Sequence, residues 1–141
     1  MSKKVITKHQ APRYQRDRIT SYLLVSECTT GSRTVTTSLV EMEPGGKQHI
    51  HSHPNEQSYA ILEGCGVMTV GDETFEVSAG QSIFIPSSAP HGLQNTGDSV
   101  LRYLSAASPA FGGEAEEKLW PLPPLRTANK TASGAGGGQC S

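Results

Sequence analysis

Four histidines stand where their chemistry can be combined: His49, His51 and His53 in one short stretch, and His91 well downstream. In an extended strand alternate side chains share a face, so His49, His51 and His53 are expected to point the same way. Imidazoles spaced like this can reach a single cation at about 2.0 to 2.2 Å, and Zn, Fe, Ni, Cu or Mn accept nitrogen and oxygen donors of this kind. Three histidines on one solvated face would serve no evident structural purpose, so the spacing reads as a site for one divalent transition metal. His9 stands alone and reads as an ordinary structural residue.

The elements that must position these side chains are short and strand-like. Runs with β character, cut by Gly, Pro, Asn and Asp, cover Ile19–Cys28, Arg33–Met42, Lys47–His53, Gln57–Glu63, Gly66–Val70, Thr74–Val77, Gln81–Ile85, His91–Asn95 and Ser99–Ala106. Many short strands at even spacing define an all-β sandwich or barrel. Gly71-Asp72 between two such runs is a tight-hairpin signal. The one helical candidate is Gly113–Trp120, with Glu114, Glu116 and Glu117 early and Lys118 late, as the helix dipole favours. Residues 1–18 read as a polar, basic N-terminal arm, with 19–112 as the barrel and 113–141 as a short helix followed by a Pro- and Gly-rich flexible tail.

Composition narrows the partners. The 141 residues carry 12 Lys and Arg against 13 Asp and Glu, a net charge of -1, which gives no long-range attraction to phosphate backbones or anionic lipid. Neither nucleic acid nor membrane is an expected partner. No apolar run approaches the roughly 20 residues of a spanning helix, and the first residues lack an apolar export signal, so a cytoplasmic protein is expected. Cys28, Cys65 and Cys140 are odd in number and form no CxxC, which reads as three reduced thiols without special function.

The histidine stretch is also part of a longer pattern. Gly45, His51, His53, Gln57 and Gly64 are spaced as in the first cupin motif, and Gly80, Pro86, Ser88, His91 and Asn95 resemble the second. The chain is therefore identified as similar to the small single-domain cupins over about residues 34 to 106. That resemblance implies a jelly-roll, double-stranded β-helix barrel, a metal in its mouth held by His51, His53, Gln57 and His91, and a homodimer formed through an N-terminal strand. Two positions depart from the family pattern: Ser88 stands where the second motif has Gly, and Gln57 stands where the family usually has a ligand Glu. Glu56 is adjacent, but one step along a strand turns a side chain to the opposite face, so it is expected to point outward unless a bulge resets the register. A competing register, with His49, His51 and Glu56 as ligands, loses the spacing to Gly45 and Gly64.

The amide at position 57 has a consequence for function. Three neutral imidazoles and an amide oxygen leave the charge of a divalent ion uncompensated, so the site should attract an anionic oxygen ligand and polarise a carbonyl. The expected activity is isomerase, lyase or ring-opening chemistry on a small anionic metabolite. Small metal-dependent cupins that open or isomerise unsaturated uronic acids look similar in combining His-x-His with Gln. The candidate proton-transfer residues are His49, near the barrel rim, and Tyr59, brought inward by alternation from Gln57. An Fe(II)-dependent dioxygenase is the alternative reaction class, and a non-enzymatic module that binds a metabolite or sugar is the alternative outside catalysis.

Overall fold

The computed structural model describes residues 3–111 and the backbone of 125–126. Gly71 shows how the short strands are joined. It takes a φ of +63° at the first central position of the turn that pairs Val70 with Glu73, as a tight hairpin requires. In chain order the strands are β1 (Arg13–Arg16), β2 (Ile19–Val25), β3 (Thr36–Met42), β4 (Glu56–Glu63) and β5 (Cys65–Val70), followed by β6 (Glu73–Ser78), β7 (Ser82–Ile85), β8 (His91–Gln94), β9 (Leu101–Ser108) and β10 (Leu125–Arg126). One helical turn, α1 (Glu27–Thr30), follows β2 and is capped by Ser26, whose hydroxyl accepts the Thr29 N–H at 3.2 Å.

The strands form two antiparallel sheets, one in the order β10-β1-β2-β3-β9-β4-β7 and the other β6-β5-β8. Alternation on each strand sends one row of side chains between the sheets. Val40, Met42, Tyr59, Ile61, Ile83, Ile85, Leu101 and Tyr103 from the larger sheet meet Met68, Val77 and Leu93 from the smaller in a single apolar cluster. The strand spacing pointed to an all-β sandwich or barrel, and the two sheets form the jelly roll that the cupin resemblance implied. Asn95 closes one end of it: its amide donates to the Met42 and Ser99 carbonyls and its side-chain oxygen accepts the Gly97 N–H. On the outer face of β9, Arg102 pairs with Glu41 at 3.0 Å and also with Glu63.

Three expectations are revised. The stretch through residue 18, read as an arm or a strand exchanged in a dimer, supplies β1, which pairs within the chain with β2 and β10. The run Lys47–His53 forms no continuous strand and touches β8 through two separate bridges, Lys47 with Gln94 and His51 with His91. Three residues between the bridges on one side thus match two on the other, so one extra residue bulges there and the two-residue alternation breaks. As a result Gln48 turns inward, where its amide bonds the Tyr103 hydroxyl at 2.6 Å, and His49 is exposed. His49, His51 and His53 therefore do not share one face. Lastly, Cys28 is disulfide-bonded, against the expectation of three reduced thiols. The spacing argument weighs only cysteines close in sequence, whereas a disulfide can join residues far apart in it. Cys65 is a free, exposed thiol, and Cys140 lies outside the described residues, as do the expected helix at 113–120 and most of the tail. Among the described residues no helix is long and apolar enough to cross a membrane.

Candidate metal centre

His51 and His91 are placed by the backbone itself. They lie opposite each other and exchange both main-chain hydrogen bonds, at 3.1 and 2.9 Å, which sets their rings side by side with centroids 4.3 Å apart. His53 follows two residues after His51 on the same face, with its ring centroid 4.9 Å from that of His91. Its carbonyl accepts the Ser88 N–H at 2.7 Å, which ties the histidine stretch to the turn before β8. Gln57 enters from the other sheet. It sits on β4 opposite Ala107 of β9 and Ile85 of β7, and it faces inward at 7% exposure.

Each ring is fixed by a main-chain carbonyl. The Nδ1–H of His51 donates to the His49 carbonyl at 2.7 Å and that of His91 to Ala89 at 2.8 Å, while His53 Nδ1 lies 3.2 Å from the Asn55 carbonyl. A neutral imidazole carries one proton, so for His51 and His91 these bonds assign it to Nδ1 and leave Nε2 as a bare lone pair, whereas His53 has an acceptor oxygen at each ring nitrogen, the Asn55 carbonyl at Nδ1 and Gln57 Oε1 at Nε2, and one proton to share between them. The donor atoms of His51, His53 and His91 lie within 4.8 Å of one another, a group that could hold a metal ion.

Two observations make the fit to a cation specific. His91 is wholly buried, and its Nε2 has no hydrogen-bond partner among the described residues, a costly arrangement for a polar atom unless something accepts its lone pair. In addition, Gln57 Oε1 faces His53 Nε2 at 2.9 Å while the Gln57 amide donates to Ser105 Oγ at 2.7 Å. With the His53 proton on Nδ1, bonded to Asn55, Nε2 and Gln57 Oε1 would be two lone-pair atoms facing each other, an arrangement that a cation bound by both would relieve. Burial, together with the neighbouring imidazoles of His51 and His53, lowers the pKa of His91 to about 4, against an opposing pull from the Ala89 carbonyl. Burial likewise lowers that of His51. Both rings therefore stay neutral and ready to donate at neutral pH.

Of the residues expected at the site, the structure brings together His51, His53, Gln57 and His91. Glu56 is exposed on the opposite face of β4, as alternation requires. The His49 ring is not part of the cluster; that residue contributes its carbonyl to His51. Tyr59 points inward beneath the histidines, with its ring 6.3 Å from that of His91 and stacked on Tyr103 at 4.3 Å. Its hydroxyl donates to Gln48 Oε1 at 3.4 Å, and burial raises its pKa. Sequence reasoning assigned no role in the site to Ser105, Gln48 or Phe111, the last of which packs edge-on against His53 at 5.1 Å. Ser105 was legible only as a small polar residue alternating with Tyr103.

The comparisons with known proteins agree with this architecture. The family model described as Cupin domain matches residues 38–107, which hold all four converging side chains. The chain belongs to the cupin family, as a small cupin domain. It is 41% identical over 76 residues to an uncharacterized protein of Methanocaldococcus jannaschii, an overlap of 53% of this chain and 61% of that protein. It is 33% identical over 79 residues to the oxalate decarboxylase OxdC of Bacillus subtilis, covering 52% of this chain and 20% of the relative. Among solved structures, the polyketide cyclase RemF of Streptomyces resistomycificus superposes with a TM-score of 0.65 at 26% identity, over 77% of this chain and 80% of that one. The chain thus spans under two thirds of the length of either curated relative.

Proposed function

We propose that this cupin is a divalent-metal enzyme acting on a small, anionic, oxygen-rich metabolite by isomerisation, elimination or ring opening. The observation that carries the reading is the donor set: three imidazole Nε2 atoms and the Gln57 oxygen converge without a carboxylate among them. A divalent ion held there by His51, His53, His91 and Gln57 would keep its full charge toward the substrate, anchoring an anionic oxygen and polarising a carbonyl. The names of two similar proteins, an oxalate decarboxylase and a polyketide cyclase, denote enzymes of oxygenated carbon compounds and support the class. His49, exposed beside His51, is the residue free to exchange a proton with solvent, whereas the Tyr59 hydroxyl is buried and engaged with Gln48.

The test is elemental analysis of untagged protein, followed by a search for metal-dependent turnover of hydroxy- and keto-carboxylates. About one equivalent of transition metal per chain is expected. Failure to bind metal even after reconstitution would sink the proposal. Oxygen uptake that depends on iron would replace it with the dioxygenase reading, and tight substrate binding without turnover would replace it with a binding module.

A further inference from the structure

The amide of Gln57 has two unlike ends, and only its oxygen can face a cation. We propose that Ser105 is the positioning residue that makes this neutral amide a metal ligand, an inference that rests on the metal reading above. With Gln57 Oε1 turned toward His53, the amide N–H points away from the histidines into a buried interior, where it needs an acceptor. Ser105 Oγ supplies one at 2.7 Å, and both residues are 7% exposed. The register sets this up: Ser105 lies on β9 opposite Tyr59, two residues along β4 from Gln57, with its side chain on the inner face.

The opposite orientation of the amide is chemically satisfied without any metal. Its N–H would then donate to the Nε2 of His53, which is the atom the cation requires. In the observed orientation the Ser105 hydroxyl accepts that N–H and so anchors the outer end of the amide; being able to donate as well, it holds the side chain in place rather than choosing between its ends. A carboxylate at position 57 would have two equivalent acceptor ends and a charge of its own to draw the ion, so its ligation should lean less on that anchor. The role of Ser105 therefore belongs to the Gln that departs from the family's usual Glu.

A double-mutant cycle read by Co(II) titration and by the visible absorption of bound Co(II) tests this. Ser105→Ala in the wild-type background should lower Co(II) affinity about tenfold, the scale of an outer-shell partner, and change the absorption spectrum. In a Gln57→Glu background the same replacement should cost less than about threefold. Ser105→Thr keeps the hydroxyl and should bind Co(II) within about threefold of wild type. Unchanged affinity in Ser105→Ala, equal losses in both backgrounds, or a loss in Ser105→Thr as large as that in Ser105→Ala would overturn the proposal and leave the metal reading standing. A wild-type chain that takes up no Co(II) would overturn both.

Discussion

His91 combines complete burial with an Nε2 that has no partner, so it reports on the site by itself. In the unfolded chain its imidazole takes up a proton near 6.5, whereas in the folded chain it does so only at about 4. Between those values the unfolded state binds more protons, so folding stability must fall as pH drops through that window. The chelator-treated protein should have a lower urea midpoint at pH 5 than at pH 7.5, and His91→Gln, which cannot titrate, should flatten the difference. An identical wild-type midpoint at both pH values would contradict the assignment. Gln57 is tested by removal of its oxygen. Gln57→Ala should weaken Co(II) binding at least as much as the roughly 10- to 100-fold loss typical of outer-shell partners. Retention of wild-type affinity would show that position 57 is not a ligand.

The turns that aim the strands carry their own predictions. Ser88 occupies the left-handed region at φ +66°, a conformation that glycine adopts far more readily, and its N–H holds the His53 carbonyl. Ser88→Gly should therefore stabilise the chain by about 0.5 to 1 kcal/mol in urea unfolding, allowing for the greater freedom of Gly when unfolded. Gly64 is the opposite case: at φ +86° a Cβ would stand 2.6 Å from the Val100 carbonyl oxygen. Gly64→Ala should destabilise by more than about 1 kcal/mol. These turns were legible because Gly and Pro mark them locally, and alternation along β4 placed Gln57 inward and Glu56 outward correctly. What stayed hidden depends on the partner strand. The extra residue between Lys47 and His51 exists only relative to β8, so nothing in the local sequence shows that His49 leaves the ligand face. Strand β1 was hidden for a similar reason: Arg13–Arg16 is mostly polar, and its pairing partners, not its composition, make it a strand.

At the scale of the whole molecule the four converging side chains come from both sheets, with His91 on β8 of the smaller and Gln57 on β4 of the larger. An ion bound by the folded chain alone stabilises it by mass action, about 2.7 kcal/mol at a hundredfold excess over Kd. For a domain near 100 residues that corresponds to a rise in thermal midpoint of roughly 10 °C or more. Calorimetry with and without Co(II) should show it, and a midpoint indifferent to Co(II) would count against a site bridging the sheets. The three rings, meanwhile, take their orientation from the carbonyls of His49, Ala89 and Asn55, which every amino acid possesses. Mutational drift around the histidines can therefore proceed without unseating them as long as the backbone keeps its course. Only the fourth position depends on a particular neighbouring side chain. A lineage carrying this barrel could thus change the charge presented to its substrate through residues 57 and 105 while inheriting the other three ligands untouched.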